Sequence, residues 1–232
     1  MKFTDTAWSA ADFTEQLDKS KSVIDLKKTN SNSILFSDSI LIWTNNSDYE
    51  NLVEFIYKIQ GVVQNTLMGG FPLRGTIEYG PLYHNPRQIL TENSYNYFNS
   101  IGGSALMNAY REEQNFDWMG CTTSRNCSQK IKEILNAHDQ GSDFKNNDIF
   151  KTNVLVEYEA PKKIGDVINL YTINWVNPVI KGMFVKNEIS SLFLKHCINV
   201  AVPREVKRKI DNTNKYIKYI IDNQLITPLK FK

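Results

Sequence analysis

The sequence lacks a long hydrophobic run. No window approaches the roughly 18 to 20 apolar residues that a membrane-spanning helix needs. The first twenty residues, MKFTDTAWSAADFTEQLDKS, also lack the apolar stretch that forms the centre of a secretory signal. We therefore expect a soluble, cytoplasmic protein that has no membrane partner.

An excess of either charge is also missing. The chain has 27 basic and 25 acidic residues, which gives a formal net charge of +2. A nucleic-acid-binding domain usually shows a clear basic excess that is clustered on one face. The near balance of charge therefore predicts that the protein has no nucleic-acid partner.

Cysteine and histidine are scarce and scattered. The chain contains Cys121, Cys127, Cys197, His84, His138 and His196. An odd number of cysteines without a secretory signal is typical of reduced thiols and not of a disulfide framework. No zinc-type spacing links the cysteines to the histidines. The class of small disulfide-stapled proteins is therefore excluded.

What the sequence does contain is the composition of a globular protein. Its 232 residues are 41% hydrophobic and 12% aromatic, which is enough to bury a substantial core. We find no internal repeat, linker or low-complexity tract. We predict a single α+β domain over residues 1–232, with a core at about 1–180 and a C-terminal helical extension at about 188–225.

Local patterns predict the order of the elements. A β-rich pattern on both sides of Ser-Asp-Ser indicates two short strands within residues 33–43 that meet at a tight turn. Asp48 caps a helix with one apolar face, and Gly69-Gly70 ends it. Further along the chain we predict a strand at 71–80, a loop at 83–99, helices after Gly103 and at 128–135, strands at 154–158 and 167–176, and a last helix from Pro203 to about Asn223.

Asp38 is the residue that most suggests chemistry. It lies in the turn between two apolar strands, where a carboxylate is held rigidly and its oxygens stay at the edge of the sheet. Mg²⁺ or Mn²⁺ acting on a triphosphate needs a few hard oxygen ligands of this kind. An ordinary hairpin aspartate, favoured by turn chemistry alone, is the alternative interpretation.

Three motifs occur in a characteristic order. They are FSDS at residues 36–39, RGTIEYG at 74–80 and GSALMNAYREE at 103–113. In this order, with a helix between the first two, they resemble the homology domain of class III nucleotide cyclases, and in particular the bacterial pyrimidine cyclases of the Pycsar anti-phage defence system. The resemblance implies a ferredoxin-like βαββαβ fold, in which helices flank an antiparallel-rich sheet, with C-terminal strands and helices added.

The resemblance also implies roles for single residues. Asp38 matches the second metal-binding aspartate of the family, and Asp5, in Phe3-Thr4-Asp5, is the candidate for the first. The strand before Asp5 would be short and weakly apolar, so Asp5 either binds the first metal ion or has lost that role. The substrate-binding candidates are Phe36, Ser37, Ser39, Arg74 and Asn108.

Arg111 matches the family's transition-state arginine, which stabilises charge on the α-phosphate. The alternative is a solvated arginine paired with a neighbouring glutamate. For Arg74 the alternative is a structural role at the start of a strand. Met107 stands where the family usually has an asparagine, so the contact to ribose is missing or comes from Asn108.

The activity that the resemblance implies is the conversion of UTP or CTP to the cyclic nucleotide, with two divalent cations, Mn²⁺ or Mg²⁺, in a homodimer with shared active sites. Ile34 and Ser100 occupy the positions of the charged pair that reads adenine, and neither carries a charge, so a pyrimidine base is expected. A cyclase-like domain that binds a nucleotide or a partner without catalysis is the alternative. A diguanylate-cyclase relative is disfavoured because no GGDEF-like turn is present.

Overall fold

The computed structural model describes residues 31–36, 39–91, 94–138, 147–164, 167–195 and 201–228. These residues form a mixed α and β structure in which most strand pairs are antiparallel. The strands are β1 (Ser31–Phe36), β2 (Ser39–Thr44), β3 (Gly75–Ile77), β4 (Tyr83–Thr91), β5 (Ser94–Gly102), β6 (Cys121–Thr123), β7 (Leu155–Pro161) and β8 (Val167–Ile173). The helices are α1 (Tyr49–Met68), α2 (Ser104–Asn115), α3 (Arg125–His138), α4 (Asp148–Lys151), α5 (Pro178–Val185), α6 (Ile189–Leu194) and α7 (Arg204–Asp222). The α+β class expected from the sequence is confirmed.

A four-stranded sheet in the order β3-β6-β8-β7 forms the centre of the fold. Strands β3 and β6 are parallel, with Gly75 opposite Cys121. Strand β8 runs antiparallel to both of its neighbours, and its pairing with β7 extends over the whole length of the two strands. Parallel neighbours need a crossover connection, so the long segment between β3 and β6 carries a hairpin and helix α2.

The hairpin predicted around Ser-Asp-Ser is confirmed. Strands β1 and β2 are antiparallel, and Phe36 lies opposite Ser39. Among the strands that the structure describes, this hairpin pairs with none of those in the central sheet.

The loop predicted at residues 83–99 is wrong, because β4 and β5 form a second antiparallel hairpin there. Residues 83–87 are all exposed, so both faces of this part of β4 meet solvent. A strand exposed on both faces shows no alternation of apolar and polar residues, and alternation is the pattern on which strand prediction depends. The strand predicted at 71–80 is also shorter than expected, since only Gly75–Ile77 is paired.

Helix α1 begins and ends where the sequence predicts. The Asp48 side chain accepts a hydrogen bond from the backbone N–H of Asn51 at 2.9 Å. At the other end the N–H of Gly69 donates to the carbonyl of Asn65, and Gly70 has φ 88°, a left-handed conformation that favours glycine. The predicted apolar face lies in or against the core; its buried members are Ile56, Ile59, Val62, Val63 and Leu67.

The last helix shares the core with the sheet. Ile217 is fully buried in α7, and the Tyr216 ring lies 4.8 Å, between centroids, from that of Trp118. The carboxylate of Asp117, also buried, accepts hydrogen bonds from Arg208 and Asn212 of α7. The predicted last helix is confirmed. The sequence predicted a C-terminal extension here, but α7 contributes directly to the main core.

Within the described ranges, no helix combines the length and the apolar content that crossing a bilayer requires.

The role of α7 in the core can be tested by a matched pair of substitutions. Ile217→Ala removes a fully buried side chain and should lower the free energy of unfolding by about 3 kcal/mol. Ile164→Ala, at a side chain that is 89% exposed, should change it by less than about 0.5 kcal/mol. Urea denaturation followed by circular dichroism measures both. Equal effects of the two substitutions would contradict the placement of α7 in the core.

Candidate functional site

A large cleft is lined by residues from all three sequence motifs, although the first motif contributes only Ser39. Its volume is about 1670 Å³. One wall is the hairpin with the turn after it, a second is the segment around β3, and a third is helix α2. The lining includes residues 39–47, residues 72–82, and Ala105, Leu106, Met107, Ala109, Tyr110 and Glu113. Segments that are far apart in sequence therefore face one shared space.

The first motif reaches this cleft through Ser39, the first residue of β2. The backbone of Phe36 is paired opposite Ser39 across the hairpin. Ser37 and Asp38, which lie between the two strands in sequence, are outside the described residues, as is Asp5. The metal ligands Asp38 and Asp5 therefore stay predictions. The structure adds that the hairpin lies at the cleft.

Arg74, in the second motif, has protein partners. Its side chain is only 16% exposed, and its Nε donates to the carboxylate of Glu113 in α2. Its Nη1 donates to the carbonyl of Phe116 at 3.2 Å. The guanidinium thus connects the start of β3 to the end of α2, which favours the structural role over a contact to substrate.

The third motif needs its glycine at position 103. Gly103 has φ 132°, and a Cβ there would collide with the carbonyl oxygen of Pro81. The same carbonyl accepts a hydrogen bond from the N–H of Ala105 at 3.2 Å, in the first turn of α2. Only a residue without a side chain allows this close approach, so Gly103 fixes where α2 starts against the cleft.

A small polar cavity adjoins the large cleft. Its volume is about 190 Å³, and Glu78 lines both spaces. Asn108 and Arg111, which the sequence nominated separately, both line this cavity from α2. The remaining lining residues are Glu112, Ser124, Arg125 and Asn126.

Glu78 cross-links the end of β3 to the start of α3. Its Oε1 accepts hydrogen bonds from the N–H of Tyr79 at 2.8 Å, from Oγ of Ser124 at 2.8 Å and from Nδ2 of Asn126 at 3.3 Å. Ser124 is buried, and its Oγ also accepts from the N–H of Cys127 at 3.0 Å, in the first turn of α3. These bonds hold one wall of the cavity in place.

The acidic residues of the cavity have protein partners, but its two arginines form no ion pair within the described residues. Arg111 and Arg125 are exposed, and neither forms an ion pair with any residue that the structure describes. Glu112, in contrast, lies 3.9 Å from the ammonium group of Lys162. The acidic groups therefore have partners, whereas two guanidinium groups from different helices remain available to an anion.

Sequence reasoning missed Glu78, Arg125 and Asn126. The signal that could have found them is position, because β3 and β6 are parallel neighbours whose ends lie at the same edge of the sheet. Glu78 directly follows β3, and Ser124-Arg125-Asn126 directly follows β6. Polar residues that follow two parallel neighbouring strands are brought together by the sheet, and ligands bind at such edges.

The two cysteines on the cleft wall are expected to be unreactive. Cys121 and Cys127 are buried free thiols. Burial raises the pKa of Cys121 to about 12. Burial, with a smaller effect of the Glu78 charge, raises the pKa of Cys127 above its ordinary value. Both thiols therefore stay protonated at neutral pH, and a protonated thiol is neither a nucleophile nor a metal ligand.

Across the described ranges, no group of three or more histidine, cysteine, aspartate or glutamate side chains is placed to hold a metal ion. A scan against known protein families, a search of curated proteins and a search of solved structures each returned no match. Function is therefore inferred from the cleft, the cavity and the motifs that line them.

The buried thiols lead to a test of the cleft wall. In a Cys197→Ser variant, which leaves only Cys121 and Cys127, we expect iodoacetamide at pH 8 to alkylate the folded protein far more slowly than the protein in 8 M urea, because the folded thiols stay protonated and buried. Mass spectrometry of timed samples measures the rates. Equal rates in the two conditions would contradict the burial of this wall.

Proposed function

We propose that this chain is a class III-type nucleotide cyclase that converts UTP, or alternatively CTP, to the 3′,5′-cyclic nucleotide and pyrophosphate. The observation that carries the proposal is the convergence of the three motifs on one cleft. The resemblance assigns them to metal binding, to the central strand and to transition-state stabilisation. Segments with these three roles have to lie close together, and a cleft lined by residues of all three motifs supports this assignment.

The fold we propose is the ferredoxin-like βαββαβ arrangement of the cyclase homology domain. Its support is the order of the elements: a hairpin carrying FSDS, a strand carrying RGTIEYG, and a helix carrying Arg111. The α+β class and the antiparallel-rich pairing are compatible with it.

In the proposed reaction the 3′-hydroxyl loses its proton to water and its oxygen bonds to the α-phosphorus. The bond from the α-phosphorus to the bridging oxygen breaks, which releases pyrophosphate. Divalent cations, assigned by the resemblance to Asp38 and Asp5, supply Lewis-acid activation of the phosphates when bound. Arg111, as an unpaired guanidinium on the cavity wall, stabilises the charge that builds up on the phosphate oxygens.

The base is read by neutral groups. Ile34 lies in β1 opposite Leu41, and the hydroxyl of Ser100 donates to the carbonyl of Asn85 at 3.2 Å. Neither side chain can form the charged pair that adenylyl cyclases use for adenine. A pyrimidine substrate follows, with UTP favoured over CTP, and the product is proposed as a second messenger in bacterial anti-phage defence, made in the cytoplasm.

Helix α2 supports the proposed homodimer. This helix lies wholly within the described residues and buries none of its side chains. Met107 and Tyr110 are 58% and 65% exposed, which is unusual for large apolar side chains on one helix. In the family the active sites are shared between the two protomers of a homodimer, and a C2 pair of this kind has two equivalent sites.

A domain that binds nucleotides without catalysis is the second candidate function. Met107 favours it, because this exposed methionine replaces the asparagine that contacts ribose in the family. Such a domain would bind UTP and leave it intact. A measurement of cyclic product therefore distinguishes the two functions, whereas a measurement of UTP affinity does not.

The direct test is incubation of the purified protein with each nucleoside triphosphate and Mn²⁺, followed by mass spectrometry of the products. We expect cyclic UMP or cyclic CMP in amounts equal to the pyrophosphate released. Asp38→Ala should abolish turnover, and Arg111→Ala should lower kcat by about 100-fold or more, because charge stabilisation in the transition state is lost. Arg204→Ala, at an exposed arginine of α7 outside the cleft, is the matched control and should leave kcat unchanged.

Turnover of ATP or GTP without turnover of UTP or CTP would overturn the base assignment. Binding of UTP with no cyclic product from any nucleotide would favour the non-catalytic domain.

A further inference from the structure

One arginine that lines the small cavity, Arg125, belongs to none of the three motifs. Arg125 is the first residue of α3, and it follows buried strand β6 and the buried residue Ser124. Its position is therefore set by the core of the protein and not by a loose loop. It lines the same 190 Å³ cavity as Arg111, which comes from α2.

Arg111 and Arg125 line one small cavity from two different helices. Within the part of the chain that the structure describes, neither has a carboxylate within ion-pair distance. Two cationic side chains that line one cavity without ion-pair partners are suited to binding an anion there. A phosphate group suits two planar guanidinium groups, because each can donate two parallel hydrogen bonds to its oxygens.

Neither of the two carboxylates that line the cavity, Glu78 and Glu112, forms an ion pair with these arginines within the described residues. Every hydrogen bond that Glu78 makes within the described residues goes to its Oε1, from Tyr79, Ser124 and Asn126. These donors stabilise the charge of Glu78, and the bond from Asn126 fixes the side chain of the residue after Arg125. The amide of Asn126 is also fixed by its bond to the carbonyl of Tyr79 at 3.0 Å. The cavity wall that carries Arg125 is therefore preorganised.

The size of the cavity limits what it holds. Pockets for drug-sized ligands have volumes of roughly 300 to 1,000 Å³, whereas this one has about 190 Å³. It suits one or two phosphate groups and not a whole nucleotide. The large apolar cleft, which it joins at Glu78, has room for the nucleoside.

We propose that Arg125 is a second phosphate-binding residue, which together with Arg111 holds the terminal phosphates of the nucleoside triphosphate in this cavity. The identity of the phosphate ligand rests on the proposed function. The anion site itself does not, because it can be measured without turnover.

The experiment is isothermal titration calorimetry of the purified protein with sodium tripolyphosphate and with UTP, in EDTA so that divalent cations do not contribute. We expect both ligands to bind. Arg125→Ala should raise the Kd of each by about 10-fold or more, and Arg125→Lys should have an intermediate effect, because a single ammonium group cannot donate the paired hydrogen bonds. Arg204→Ala, the matched loss of an exposed arginine elsewhere, should leave Kd unchanged.

Three results would overturn the inference: no binding of tripolyphosphate by the unchanged protein, an unchanged Kd in Arg125→Ala, or an equal loss in Arg204→Ala. Urea denaturation of each variant confirms that it is folded. Arg125-dependent binding without any cyclic product would remove the proposed function and leave the anion site. Cyclic product from Arg125→Ala with an unchanged KM would remove the anion site and leave the function.

Discussion

The ion pair between Arg74 and Glu113 is the contact on which the geometry of the site depends. Most helices hold their place by burying an apolar face, but α2 buries none of its side chains. Its C-terminal end is fixed by Arg74, which also donates to the carbonyl of Phe116, and by the fully buried ring of Phe116 itself. Gly103 fixes its other end against Pro81. The cavity and one cleft wall thus stand on a helix held mainly at its ends.

The opposite wall of the cavity is built differently. Ser124, Arg125 and Asn126 follow a strand whose three residues are all buried, and Glu78 connects them to the neighbouring strand. One arginine of the pair therefore stands on the rigid core and the other on a helix that is held by polar contacts. The same helix carries two large exposed side chains, Met107 and Tyr110.

Much of the fold was predictable because its signals are local. The cap at Asp48, the apolar spacing of α1 and the Gly69-Gly70 stop are each read from adjacent residues, and the structure confirms all three. Hairpin β4–β5 was missed because its exposed residues show no alternating pattern. Arg125 and Glu78 were missed because their proximity arises from the parallel pairing of β3 and β6, which sequence spacing does not reveal. Arg74 was nominated as a ligand, and its placement beside Glu113 depends on the tertiary fold.

We propose that three separate segments form one nucleotide site. Hydrogen–deuterium exchange with and without an α,β-methylene analogue of UTP, which cannot release pyrophosphate, can show whether they do. We expect slower exchange on binding in residues 39–44, 74–80 and 104–115 together, while α7 is unchanged. Binding of the analogue with no protection in these segments, or with protection confined to other parts of the chain, would contradict it.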